Sequence, residues 1–415
     1  MGILYNIGIK SYQGLVKFAG LFNTKARKLS EGESAVLDLL KKNLHPDGNY
    51  IWIHAASLGE FEQGRPLIEQ IKANQPKQRI LLTFFSPSGY EVRKNYDGVD
   101  FVSYLPFDHI SKVKAFLDIV KPSKAIFVKY EFWSNYLHEL QRRKIPTYII
   151  SAIFRKEQNF FRKDGNFFRE MLHCFTHLYV QDEASKELLR GISVWNVTIA
   201  GDTRFDRVIS IHRNAKELPL VKQFTDGHHT LVVGSSWLPD EQLITQYINA
   251  HTEQRLIIAP HEIHEEHIQQ IESLLTRRTL RLSQANENNI QEAECLIIDS
   301  IGLLSSIYRY GKVAYIGGGF GAGIHNILEA AVYGMPVIFG PKYGKFREAR
   351  NMIAQECAFS ITNYNELESL LDTFATQPQQ LAATGEKAGQ FVVKNAGATD
   401  LIYDDIFDTL FGKKL

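Results

Sequence analysis

Ile51-Trp52-Ile53-His54-Ala55-Ala56 runs directly into Ser57-Leu58-Gly59-Glu60, and a helical pattern follows over residues 61–73. A short run that is apolar on both faces must be covered from both sides. Small residues then let the backbone turn, and the period changes from two to 3.6. This is one strand-to-helix step of a parallel α/β sheet. Outward from it the step recurs: the sequence predicts strands at 80–85, 101–105, 125–130, 147–152, 178–181 and 197–200, with helices including 109–120 and 133–143. Near-continuous apolar strands separated by helices predict a Rossmann-like domain.

A polar stretch over 203–229 reads as irregular. A second series then begins, with strands at 231–234, 256–259, 295–298, 313–316, 336–339 and 358–361. Its helices include 241–250, 263–275, 326–333 and 366–374, and a last helical stretch covers 399–411. The expected organisation is an N-terminal amphipathic helix (1–30), a first Rossmann-like domain (31–204), a hinge (205–228), a second such domain (229–395) and a C-terminal helix (396–415) packing toward the first domain. Two doubly wound domains of this kind place their strand ends around a central cleft.

At 415 residues the chain has room for two cores. Its 47 Lys and Arg against 46 Asp and Glu argue against nucleic acid, which requires a run of neutralised phosphates. Cys174, Cys295 and Cys357 are odd in number and far apart, as in a reduced chain. His261, His264 and His267 alternate with Glu262, Glu265 and Glu266, which reads as a solvated helix rather than a metal face. Near the N-terminus, Leu4, Ile7, Tyr12, Leu15, Phe18 and Phe22 fall near one helical face and Asn6, Lys10, Gln13 and Lys17 away from it. Lys10 and Lys17 interrupt any membrane span, and no signal-peptide cleavage pattern follows. The pattern suits a helix in a membrane interface, with Lys25, Arg27 and Lys28 at lipid heads, or a helix packed on the protein itself; the two are compatible.

Chemistry is expected on loops after strands. Glu60 stands at a helix start, where a carboxylate is either a helix-stabilising residue or a proton acceptor. Ser86, Ser88 and Gly89 offer donors for a sugar or anion, though capping alone accounts for them. Glu131 follows another strand beside Trp133. In the second half, five glycines in seven residues (317–323) lead to His325, Asn326 and Glu329. Bare amides there suit a phosphate, but the spacing does not fit the dinucleotide fingerprint. Ser235, Ser236, His261 and Gly302 complete the ring, and the segment 340–347 adds Lys342, Lys345 and Arg347. Arg155, Lys156 and Arg162, interleaved with Phe160, Phe161, Phe167 and Phe168, fit either a phosphorylated lipid or a helix turning its rings inward.

In order, these motifs resemble the bacterial 3-deoxy-D-manno-octulosonic acid (Kdo) transferases from about residue 32 to the C-terminus. The resemblance rests on Ser57-Leu58-Gly59-Glu60, Ser86-Pro87-Ser88-Gly89, Leu105-Pro106-Phe107-Asp108, Glu131-Phe132-Trp133-Ser134-Asn135, Gly201-Asp202-Thr203-Arg204-Phe205-Asp206, and Gly317-Gly318 with His325-Asn326 and Glu329. It implies a GT-B fold and an inverting transfer of Kdo from CMP-Kdo to lipid A or its tetraacylated precursor. No metal cofactor is implied, and the site of action is the cytoplasmic face of the inner membrane. Glu60 would be the general base, with Glu131 beside it in the catalytic cleft. Ser57, Gly59, Ser86, Ser88, Gly89, Arg155, Lys156 and Arg162 would bind the acceptor. Ser235, Ser236, His261, Gly302, Gly317, Gly318, His325, Asn326 and Glu329 would bind the donor. Three positions depart from the pattern: Pro260-His261-Glu262 lacks the family's arginine, Lys129 replaces an acidic residue, and Ser134 replaces a proline. A GT-B enzyme using a UDP-sugar, as transferase or epimerase, and a non-catalytic glycolipid-binding protein are the alternatives.

Overall fold

With large apolar side chains on both of its faces, the run around Ile53 has no side fit for water. In the computed structural model, which describes residues 2–407, it forms β1 (Tyr50–Ala55), buried at every position. Around it lie β2 (Ile80–Phe84), β3 (Phe101–Tyr104), β4 (Pro122–Val128), β5 (Thr147–Ala152), β6 (His177–Val180) and β7 (Val197–Ile199). Their order is β3-β2-β1-β4-β5-β6-β7, every pairing parallel. Alternation along β1 divides the core: Trp52 packs with Phe116, Phe127 and Tyr136 on one face, Ile51 and Ile53 with Phe61 and Phe84 on the other.

The second sheet contains β8 (His229–Ser236), β9 (Gln254–Pro260), β10 (Thr279–Arg281), β11 (Cys295–Ile297), β12 (Val313–Ile316), β13 (Val337–Phe339) and β14 (Ala358–Ser360). Its order is β10-β11-β9-β8-β12-β13-β14, again parallel throughout. Strand order reverses between β1 and β4 in the first sheet and between β8 and β12 in the second. At such switch points the loops after neighbouring strands diverge and leave a crevice for ligand.

The chain divides into Met1–Arg207 with Ala396–Leu415, and Val208–Asn395. The segment expected to be irregular is instead largely helical, as Thr203–Arg213 and Pro219–Thr225. Phe205 and Val208 bury one side of the first helix, and Val221 and Phe224 bury one side of the second, so its polar composition belongs to the exposed faces. The expected helix 326–333 is only Leu328–Ala331, because the glycine-rich segment keeps its own loop geometry up to Ile327. The last helix, Ala398–Phe407, returns to the first unit, where Ile402 and Ile406 join the core beside Ile68 and Ile71. Asp206 fixes its start by accepting from the Gly397 and Thr399 amides and the Thr399 hydroxyl. The expected residues 408–411 of that helix lie outside the described residues.

The N-terminal segment is two helices, α1 (Gly2–Ala19) and α2 (Thr24–Asn43), and Asn23 caps the second by accepting from the amides of Lys25 and Ala26. α1 docks through a mixed face: Val16 and Ile9 join a cluster with Leu29, Tyr104 and Phe107, and polar groups flank them. Tyr5 donates to Asp108 at 2.6 Å, Asn6 accepts from Asn135 at 2.9 Å, and Gln13 meets His109 at 2.8 Å. Leu15 (66%), Phe18 (64%) and Phe22 (81%) are left exposed. Among the described residues no helix is long and apolar enough to cross a membrane.

Candidate functional site

In the first unit the loops after β1 and β4, on either side of the reversal, carry the two candidate carboxylates. Ser57 occupies the N-cap position of α3 (Leu58–Asn74), and Glu60 lies in its first turn. The Ser57 hydroxyl donates to Glu60 Oε2 at 2.8 Å. Burial holds the half-buried Glu60 carboxyl above the usual carboxylate range; Ser57 opposes the shift, the charge on Glu131 adds to it, and Lys129 opposes it. In its ionised form such a carboxyl is a stronger proton acceptor than a solvated one.

Glu131 is buried, and two groups converge on its Oε2: His54 Nε2 at 3.0 Å and Trp133 Nε1 at 2.7 Å. His54 is itself fully buried. Its Nδ1 lies 2.9 Å from the Thr83 hydroxyl, which also accepts from Trp52 Nε1 at 2.8 Å. Glu131 is therefore held by a chain of side chains reaching through β1 and β2. The sequence reading missed His54, although it is the one ionisable residue in an otherwise apolar strand run.

The other residues expected to meet the acceptor fare differently. Gly59 is open, since a Cβ there would touch nothing within 4 Å. Ser86 caps the helix Pro87–Arg93 by accepting from the Ser88 amide at 3.2 Å, and the two hydroxyls lie 2.9 Å apart. Gly89 is dictated by packing, because a Cβ would come within 2.3 Å of the Phe84 ring. Arg155, Lys156 and Arg162 are exposed, and Arg162 lies 3.5 Å from Asp164. Phe160 is buried and Phe161, Phe167 and Phe168 pack against the same core, so these rings are held by the protein. Asp108 and Asn135 serve structure: the buried Asp108 carboxylate takes the amides of Asn135 and Tyr136 at a helix start, and burial raises its pKa to about 6.

In the second unit the loops after β8 and β12 flank the reversal. Asp240 ties them together: its Oδ2 accepts from the amides of Trp237 (3.0 Å) and Gly318 (2.9 Å), and its Oδ1 from the Tyr315 hydroxyl (2.8 Å). The glycines follow from this crowding. A Cβ on Gly317 would lie 2.3 Å from the Ser235 carbonyl oxygen, and one on Gly319 would lie 2.6 Å from Gly340 Cα. Gly318 has φ +89°, where a side chain is strained.

Two expectations are corrected here. The Gly317 and Gly318 amides are not bare, because Gly317 donates to Gly234 O and Gly318 to Asp240. Ser236 is fully buried with its hydroxyl donated to Glu241, so it supports the loop and does not face a ligand. Ser235 is half-buried at φ +53°, and Gly302 forms an exposed turn at φ +88°. Asn326, just before the helix Leu328–Ala331, accepts from the Leu328 amide and donates to Glu329 at 2.9 Å. His261 stacks on His325 with centroids 4.4 Å apart and on Trp237 at 4.7 Å. The histidines once weighed as a metal face have other duties: His267 pairs with Glu241 at 3.0 Å, and His264 caps the helix Glu265–Leu274. Among the described residues no group of three His, Cys, Asp or Glu side chains is arranged to hold a metal ion.

Two Rossmann-like units, each with polar groups gathered at its switch point, give the chain the GT-B fold. The family profile described as 3-deoxy-D-manno-octulosonic-acid transferase (kdotransferase) matches residues 27–207. Curated 3-deoxy-D-manno-octulosonic acid transferases are similar over most of the chain. That of Rickettsia felis is 27% identical, covering 84% of this chain and 77% of its own. That of Aquifex aeolicus is 27% identical, covering 80% and 87%. The solved MurG of Acinetobacter baumannii shares the fold, with TM-score 0.54 at 12% identity over 86% of this chain and 99% of its own. By these likenesses the chain is similar to the Kdo transferases.

Proposed function

We propose that this enzyme transfers Kdo from CMP-Kdo to lipid A or its tetraacylated precursor in lipopolysaccharide core biosynthesis, with inversion at the anomeric carbon. The observation that carries the proposal is Glu60: a half-buried carboxylate at the switch point of the first unit, steadied by Ser57 and raised in basicity by burial. Glu60 takes the proton of the acceptor hydroxyl as its oxygen bonds to the anomeric carbon. The bond from that carbon to the CMP phosphate oxygen breaks, and CMP leaves with the electron pair. Glu131, fixed by His54 and Trp133, keeps a second negative charge beside the base. Ser57 and Gly59 meet the acceptor sugar, and Arg155, Lys156 and Arg162 its phosphates. The donor lies on the second unit, at His261, His325, Asn326 and Glu329. Hydrogen-bond donors meet the leaving phosphate, so no metal cofactor is needed.

The enzyme works on the cytoplasmic face of the inner membrane. α1 supports this placement: the face with Tyr5, Ile9, Gln13 and Val16 is spent on the protein, leaving Leu15, Phe18 and, in the turn that follows, Phe22 for lipid, with exposed Lys25 and Arg27 next to them. The test offers purified protein CMP-Kdo or UDP-sugars with a lipid A precursor, in the presence of EDTA. Transfer from CMP-Kdo alone is expected. Transfer only from a UDP-sugar would overturn the donor, and no transfer from any donor would favour a glycolipid-binding protein.

A further inference from the structure

Five amides of the glycine-rich loop are already engaged, two by neighbouring segments and three within the loop. Gly317 donates to Gly234 O at 2.9 Å, Gly318 to Asp240, Gly321 and Gly323 to Gly318 O at 2.9 and 3.1 Å, and His325 to Gly317 O at 3.2 Å. An anion at this switch point would therefore draw on side-chain donors as well as on the backbone amides that remain.

Trp237 lies at the end of β8, and its indole Nε1 is 3.1 Å from His325 Nε2. An indole N–H can only donate, so Nε2 must present its lone pair and the ring proton of a neutral His325 must sit on Nδ1. Among the described residues no hydrogen bond engages Nδ1. The ring cannot easily turn away, because His261 stacks on it at an interplanar angle of 25° and on Trp237 at 30°. Trp237 is held in turn through its own backbone amide, which donates to the same Asp240 oxygen that takes the Gly318 amide.

We infer that Trp237 is a positioning residue that fixes the tautomer of His325, so that Nδ1–H is offered to the phosphate of the nucleotide-linked sugar. The inference rests on the donor site proposed for the second unit. Burial, with His261 next to it, also holds the His325 pKa below the usual histidine range. The ring therefore acts as a neutral donor near neutrality, and nucleotide binding through it does not weaken as pH rises through the ordinary histidine range.

Long-range proton–nitrogen correlation spectra of the full chain with labelled histidine test this before any ligand is added. In the wild type His325 is expected to show a protonated Nδ1 and an unprotonated Nε2. A protonated Nε2 would overturn the inference without requiring any variant to fold. Trp237→Phe keeps the stacked ring and the backbone bond to Asp240 but removes the indole donor. It is expected to release His325 into a mixture of tautomers and to weaken CMP binding about tenfold, the effect of one hydrogen bond. CMP should shift the Nδ1 resonance in the wild type. Unchanged CMP affinity in Trp237→Phe, or an Nδ1 resonance indifferent to both CMP and UMP, would refute the inference. The same Nδ1 response to UMP, with CMP silent, would uphold it while overturning CMP-Kdo as the donor.

Discussion

Asp240→Asn is the sharpest test of how the donor loop is built. The carboxylate takes two backbone amides on one oxygen and the Tyr315 hydroxyl on the other, and Asp240 is fully enclosed. Asparagine matches its shape. If its oxygen stays with the two amides, its NH2 faces Tyr315, and three charge-assisted bonds become two neutral bonds and one misdirected contact. Bonds to a charged group contribute about 1.5–3 kcal/mol and neutral ones about 0.5–1.5 kcal/mol. Burial holds the Asp240 pKa above the usual carboxylate range, so removing the charge returns part of that loss. A net cost of about 2 kcal/mol is expected, or a fall of about 4–8 °C in the melting of a domain this size. Calorimetry of the full chain reads the melting and CMP titration reads the loop, and both should deteriorate together. Unchanged melting with unchanged CMP affinity would show that Asp240 does not hold the loop.

In a pH–rate profile the acid limb reports protonation of Glu60, so activity falls as pH drops through a value above the usual carboxylate range. Ser57→Ala removes a donor that favours the ionised form and should move that limb to higher pH, whereas Glu131→Gln removes a negative charge and should move it lower; the opposite signs would refute the electrostatic assignment. Gly59→Ala meets nothing within 4 Å and lies inside a helix, so it should stabilise the protein by about 0.5–1 kcal/mol. A rise in acceptor KM in that more stable variant would locate the acceptor beside α3, and an unchanged KM would remove Gly59 from the acceptor site. Replacing Leu15, Phe18 and Phe22 by Ser leaves the bonds of Tyr5 and Gln13 intact and should reduce sedimentation with anionic vesicles. Equal sedimentation would dismiss α1 as a membrane contact.

The parallel sheets were legible because a strand buried on both faces is largely apolar, as β1 is apart from His54 and as β8 is over Leu231–Val233. β10 escaped because it is a three-residue edge strand, half-exposed at every position and polar at Thr279 and Arg281. The helix Pro378–Lys394 was not anticipated: Ala, Gly and Gln dominate it, and it buries only small residues besides Phe391 and Val392. Glu60 and the glycine-rich loop could be singled out by position, directly after strands. Their supports could not, because His54, Trp237 and Asp240 act across strand pairs, and no local spacing reports which residue lies opposite which. Asp240 in particular looks like an ordinary carboxylate in a helix's first turn until the Gly318 amide is seen pointing at it. Likewise, Asn6 and Gln13 of α1 looked solvent-facing until Asn135 and His109 came to meet them.

Mass spectrometry of a lipid A precursor incubated with CMP-Kdo and either wild-type enzyme or Glu60→Gln bears most directly on the central claim. The wild type should add Kdo, and the variant, which keeps the shape of Glu60 but cannot accept the proton, should leave the precursor unmodified while binding CMP as tightly as the wild type. A variant that adds Kdo at the wild-type rate would contradict the account.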